Sequence, residues 1–209
     1  MRALFALLLM TRLVSAEGER AGDFDYYVLS LSWSPTWCAL EGAARGSPQC
    51  ETGRELGWVL HGLWPQYESG WPSYCRTNAR DPSRRQTGDM ADIMGTSGAA
   101  WYQWSKHGRC SGLSANEYFE TARRAYSDVS RPEVFRKLTD PVKLPANVVE
   151  QAFLQANPDQ RPDMVTVTCK SSRIQEVRIC LTKDLTPRTC GADVVQDCQM
   201  SDALLDPVQ

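Results

Sequence analysis

Histidine is almost absent from this chain: among 209 residues only His61 and His107 occur. No two cysteines stand in C-x-x-C spacing and no histidines in H-x-x-x-H spacing, so neither a metal site nor a cofactor is expected. The G-x-S-x-G turn that presents a nucleophilic serine is also missing. So is any excess of positive charge: 23 Lys+Arg stand against 25 Asp+Glu, a net charge of −2. That excludes a protein that grips nucleic acid by bulk charge, and any polyanion must be met by a local cluster. Past residue 16 no apolar run approaches the roughly 18 residues of a bilayer-spanning helix. There is no internal repeat and no low-complexity tract.

What is present begins with "MRALFALLLMTRLVSA": Arg2, an apolar run from Ala3 to Met10, and small residues at Val14-Ser15-Ala16. This reads as a secretory signal over residues 1–16, with export to the periplasm or the medium. Arg12 interrupts the run, against a membrane anchor. Losing Arg2 and Arg12 leaves 21 basic against 25 acidic residues, a charge of −4, on one expected domain over 17–209. All eight cysteines, Cys38, Cys50, Cys75, Cys110, Cys169, Cys180, Cys190 and Cys198, lie beyond Ala16. An even count in an exported chain predicts disulfides, with Cys38–Cys50 and Cys180–Cys190 favoured by proximity and the rest open.

"FDYYVLSLSWSP" alternates Leu29, Leu31 and Trp33 against Ser30, Ser32 and Ser34, the pattern of a half-buried strand. "GWVLHGLW", "MVTVTCK" and "RIQEVRICLT" read as further strands. Ser114 stands three residues before Glu117, a capping box opening a helix through Tyr118, Ala122, Ala125, Tyr126 and Val129. "PANVVEQAFLQANP" predicts a helix with Val148, Val149, Ala152 and Phe153 on one face, ending before Pro158. The segment from Arg76 to Thr87, with Arg80, Arg84 and Arg85 against Asp81, reads as a long exposed loop. Strands at both ends with helices between them give an α+β class: a central antiparallel sheet packed by several helices and held by disulfides.

A lone histidine on an apolar strand is more often a packed residue than a catalyst. Here each one adjoins a glycine, Gly62 or Gly108, and Lys106 precedes His107. Two imidazoles are the minimum for taking one proton while giving another near neutral pH. A lysine adds fixed charge for a developing phosphorane. With neither a metal set nor a protein nucleophile, this equipment suits phosphoryl transfer in which the substrate brings its own nucleophile, as RNA does with its 2′-hydroxyl.

"HGLWPQY" and "WSKHGRC", about 45 residues apart, resemble the two active-site segments of the ribonuclease T2 family, acid endoribonucleases of fungi, plants and bacteria. "LSWSPTWC" and "VTVTC…IQEVRICLTKDL…C" resemble that family too, so the likeness runs through the chain beyond residue 16. The resemblance implies an α+β fold and metal-free cleavage of single-stranded RNA, not DNA, through a 2′,3′-cyclic phosphate to 3′-phosphate ends. It implies His61 and His107 as acid and base, with the base role at His107, and Lys106 at the pentacoordinate phosphate. It implies the pairs Cys38–Cys50, Cys75–Cys110, Cys169–Cys198 and Cys180–Cys190. The departures are Gln103 where a glutamate is common, Tyr102 where a histidine is common, and Ser32 where a glutamine is common. A carboxamide can donate to a phosphoryl oxygen, and a tyrosine can donate as well.

Trp64 and Pro65 are expected chiefly to brace their segment and Gly62 to leave room for the scissile phosphate. Trp64, Trp71, Tyr102 and Arg109 are the candidate RNA contacts. Trp71, Tyr74, Trp101 and Tyr67 are expected more as core than as base-stacking groups. Lys106 beside His107 predicts a lowered imidazole pKa there, and Glu68, seven residues past His61, marks His61 as the acid. A monomer is expected. The rival readings are a noncatalytic RNA- or protein-binding member of the same fold, supported only by Gln103, and a metal-dependent hydrolase, for which the ligands are missing.

Overall fold

In the computed structural model, which describes residues 19–208, every regular element lies beyond Asp25. The leader expected over residues 1–16 falls outside the described residues. The strands are β1 (Tyr26–Trp33), β2 (Trp58–Gln66), β3 (Val142–Leu144), β4 (Val165–Lys170), β5 (Arg173–Leu181) and β6 (Ala203–Leu205). The α-helices are α1 (Ser34–Trp37), α2 (Arg84–Asp89), α3 (Ala91–Met94), α4 (Ser97–Lys106), α5 (Ala115–Asp128) and α6 (Ala146–Ala156). The strands form one mostly antiparallel sheet in the order β2-β1-β5-β6-β3, with β4 also paired to β5. This is the α+β class that the sequence predicts.

β1 is more deeply placed than its alternation suggests. Leu29, Leu31 and Trp33 enter the main core, yet Tyr26, Val28 and Ser30 on the opposite face are buried as well. The reason is tertiary: β1 lies between β2 and β5, and the Cys180–Cys190 segment with Val194 packs on Tyr26 and Val28. The expected half-buried strand is therefore covered on both faces.

Two register shifts decide what the sheet offers its neighbours. Across β1 and β2, Ser30 pairs with Gly62 and Leu31 with Leu60, so His61 is the extra residue of a bulge. Across β4 and β5, Thr168 pairs with Glu176 and Cys169 with Ile174, so Gln175 is the extra residue. In a regular strand, residues three apart face opposite ways. The bulges let Leu60 and Leu63, and likewise Ile174 and Val177, both enter the core. The same shifts turn His61 and Trp64 on one strand, and Gln175 and Glu176 on the other, toward one cleft.

The helices close the other face. α5 opens with the expected capping box between Ser114 and Glu117, and its Tyr118 and Tyr126 hydroxyls donate to the carbonyls of Leu63 and Trp58 on β2. α6 buries Val149 and Phe153 against β4 and ends before Pro158, while Val148 faces solvent, contrary to expectation. The expected loop over 76–87 is partly helical: Ser83 and Gln86 form a second capping box that starts α2. An S-x-x-Q signal stands in the sequence there, masked by the neighbouring Pro82 and arginines. The four disulfides are Cys38–Cys50, Cys75–Cys110, Cys169–Cys198 and Cys180–Cys190, the pairing that the resemblance implies.

Candidate active site

His107 is placed by the end of a helix. α4 is capped at its start by Thr96, and His107, just past its last residue Lys106, still donates its backbone N–H to the Gln103 carbonyl at 2.9 Å. A side chain at Gly108 would bring Cβ to 2.6 Å from Trp104 and 2.8 Å from Tyr118, so only glycine lets the chain turn here against the core. His61 is placed by the β2 bulge. Between them stands Trp64, stacked on His107 with ring centroids 5.3 Å apart and edge-on to His61 at 5.2 Å.

The indole Nε1–H of Trp64 donates to Gln103 Oε1 at 2.8 Å. That bond fixes the buried carboxamide with its oxygen toward the indole and its NH₂ as the group left for other partners. A Cβ at Gly62 would stand 2.3 Å from Trp64 Nε1 and 2.4 Å from Gln103 Oε1. The expected role of Gly62 is thus corrected: it leaves room for this internal hydrogen bond and not for a phosphate.

A cleft of about 460 Å³ is lined by His61, Trp64, Trp71, Lys106, His107 and Arg178, together with Tyr102, Gln103 and Glu176. A second depression of about 570 Å³ opens beyond His61, where Ser32, Thr36, Gln49 and Lys170 meet Tyr102 and Gln103. His61, Tyr102, Gln103, Gln175 and Glu176 are common to both and form the ridge between them.

The two imidazoles have opposite surroundings. His107 is buried, its Nδ1 meets no partner, and its pKa is pulled from 6.5 down to about 3. Burial is the main cause, with the Lys106 ammonium and His61 adding to it. The direction agrees with the expectation, but Lys106 is secondary to desolvation. His61 is 40% exposed, and its Nδ1 lies 2.6 Å from Glu176 Oε1. Burial would push the Glu176 carboxyl up, but His61 and Arg178 overcome it and hold the group at about 2. The carboxylate beside His61 is therefore Glu176, 115 residues away; Glu68 instead pairs with Arg188.

Of the candidate contacts, Trp64, Trp71 and Tyr102 line the cleft. Arg109 does not: its guanidinium pairs with Asp81 at 2.6 Å, and Asp81 also accepts from Trp104 Nε1. Trp71, Tyr74 and Trp101, expected mainly as core, are exposed, because the loops and the helix face that carry them have nothing packed over them. Sequence reasoning missed Glu176 and Arg178. The three-residue spacing of Ile174 and Val177 was the available sign for Glu176, which lies between them.

The comparisons with known proteins agree with this geometry. The sequence profile of the ribonuclease T2 family matches residues 24–190. A ribonuclease of Aeromonas hydrophila is 38% identical over 205 residues, covering 94% of this chain and 91% of that protein. Ribonuclease I of Escherichia coli (strain K12) is 24% identical over 214 residues, covering 82% and 80%. Among solved structures, an RNase-related protein from Calystegia sepium superposes with a TM-score of 0.64 at 22% identity, covering 88% of this chain and 97% of that one. RNase NT in complex with 5′-AMP gives 0.65 at 19% identity, covering 90% and 100%. With two histidines and a lysine meeting at one cleft on this sheet, the chain belongs to the ribonuclease T2 family and is an endoribonuclease.

Proposed function

We propose that the enzyme cleaves single-stranded RNA by transesterification, using His107 as general base, His61 as general acid and Lys106 as the charge that stabilises the phosphorane. The observation that carries this reading is the asymmetry of the imidazoles on either side of Trp64: one sealed and unpartnered next to a cation, the other hydrogen-bonded to a carboxylate. Opposed environments are how a protein separates an acid from a base. In the first step His107 takes the 2′-hydroxyl proton, O2′ forms a bond to phosphorus, and the P–O5′ bond breaks as His61 protonates O5′. The products are a 2′,3′-cyclic phosphate and a free 5′-hydroxyl. In the second step water replaces the 5′-oxygen and the two histidines exchange roles, which leaves a 3′-phosphate.

Gln103, held by Trp64 with its NH₂ free, serves as a donor to a phosphoryl oxygen, and Tyr102 lies beside it on the ridge. The two depressions suit nucleotides on either side of the scissile phosphate. Trp71 offers an exposed ring on which a base can stack. The reading extends to one catalytic domain over residues 17–209, exported after removal of the leader and active as a monomer. Four disulfides favour an oxidising compartment. Among the described residues no helix is long and apolar enough to cross a membrane.

The test is purified protein with single-stranded RNA, with and without EDTA, beside DNA of the same sequence. RNA cleaved in both conditions through a transient 2′,3′-cyclic phosphate, with DNA intact, supports the mechanism. Direct release of 5′-phosphate ends sinks it. Loss of cleavage in EDTA points to a metal, and no cleavage at all leaves the noncatalytic binder.

A further inference from the structure

Glu176 is the most deeply placed charged group at the site. Its side chain is 3% exposed, and both oxygens are occupied. Oε1 lies 2.6 Å from His61 Nδ1, and Oε2 accepts from Arg178 Nε at 3.0 Å and from its terminal nitrogen at 2.8 Å. A buried carboxylate with no partner is costly, so this one is retained only because imidazole and guanidinium satisfy it together.

The contact spans two strand spacings. β2 and β5 both flank β1, so their backbones stand roughly 10 Å apart. His61 reaches Glu176 across β1, where Ser32 pairs with Val59 on one side and Glu176 on the other, and Ser30 with Gly62 and Arg178. Small side chains at these two positions leave a trough, and the bulges at His61 and Gln175 aim both partners into it. Three independent features of the sheet thus converge on one hydrogen bond. The neighbouring site position on α4, residue 103, is a neutral carboxamide whose oxygen is already taken by Trp64.

We propose that Glu176 is the positioning residue of His61, holding the imidazole from β5. By accepting the Nδ1 proton it holds neutral His61 as the Nδ1–H tautomer and turns Nε2 toward the cleft. Nε2 then carries the proton delivered to the leaving 5′-oxygen, and its lone pair is free to activate water in the second step. The same carboxylate steadies Arg178 at 5.5 Å over the Trp64 ring, inside the cleft. The inference rests on the proposed role of His61 as acid.

With only two histidines in the chain, imidazole nitrogen NMR reads the tautomer directly in the full-length native protein. The expected result is a proton on Nδ1 of neutral His61, strongly deshielded by its acceptor and lost in Glu176→Gln. Kinetics supply a second readout. Glu176→Gln should lower kcat at least about tenfold with little change in KM, a smaller loss than the about 10²–10⁴ for losing the imidazole itself. In a His61→Ala background the same change should cost almost nothing further, because a residue acting through His61 has nothing left to act on. Should Glu176→Gln fail to fold, Glu176→Asp, which keeps the charge but draws it back from His61 by one methylene, should weaken the deshielding of the Nδ1 proton and lower kcat by less. A neutral His61 that carries its proton on Nε2 instead of Nδ1 in the wild-type protein overturns the proposal, as does an equal loss from Glu176→Gln with and without His61. If wild-type protein leaves RNA intact, the cleavage reading fails while the tautomer measurement still decides the role of Glu176.

Discussion

The indole of Trp64 and the carboxamide of Gln103 share one hydrogen bond of 2.8 Å, and Gly62 is the residue that leaves space for it. Trp64 belongs to β2 and Gln103 to α4, so this bond sets the distance between the elements that carry the two histidines. Gly62→Ala would push both partners apart while leaving the imidazoles in the chain. We expect kcat/KM to fall by up to about 10²-fold, the cost of misplacing reacting groups by about 1 Å, with a folded protein by circular dichroism. Unchanged kcat/KM would mean that the spacing of the two segments is set elsewhere.

Replacing either His61 or His107 by Ala should lower kcat by about 10²–10⁴, the range for a general acid or base. His61 is partly exposed but satisfies one oxygen of the buried Glu176 carboxylate, so its replacement should lower the melting temperature by leaving that oxygen without a partner. His107 is buried between Trp64 and the end of α4, so its replacement should also lower the melting temperature. A folded variant of either with near-normal turnover would remove that histidine from the mechanism.

The parts of this architecture that were legible in the sequence are those written in local spacing. Ser114 and Glu117 announce α5, and the cysteine order with the two histidine segments points to the family and its disulfides. The contact of His61 with Glu176 was not legible, because it depends on strand order and on two bulges and joins residues 115 positions apart. In the sequence, Glu176 and Arg178 look like an ordinary solvated i, i+2 pair on a strand. Burial of aromatics failed for a similar reason: whether Trp71 or Tyr74 is covered is decided by what packs over its loop, which composition does not encode.

The Cys75–Cys110 bridge joins the loop after β2 to the turn that follows His107, where Tyr74 N–H also donates to the Lys106 carbonyl. Its loop of 35 residues predicts about 4 kcal/mol of stabilisation in the chain-entropy model. The Cys75→Ala/Cys110→Ala double variant should lose stability and, because the bridge anchors the His107 turn, turnover as well. Removing Cys169–Cys198, which joins β4 to the chain before β6 and not to a histidine segment, should cost stability with a smaller loss of turnover. Equal turnover losses from the two deletions would show a general folding effect in place of local anchoring.

The last prediction is pH dependence. A base must be neutral to accept a proton, and burial, helped by Lys106, holds the His107 pKa below 6.5. The rising limb of kcat/KM against pH should therefore lie on the acid side of 6.5, and the enzyme should work in mildly acidic solution. The same shift carries a stability cost with a definite sign. Folded His107 binds its proton less readily than the unfolded chain does, so unfolding takes up protons as the pH falls below about 6.5. Stability should decline by up to about 1.4 kcal/mol per pH unit from this one group as the pH drops from 6.5 toward 3. Glu176, depressed from 4.5 to about 2, adds a second loss in the lower part of that window. Because burial outweighs Lys106, Lys106→Gln should lower the kcat/KM maximum sharply but move the rising limb only part of the way back to 6.5. A full return would make the ammonium the main cause, and a limb that stays in place would mean that Lys106 serves the phosphate alone.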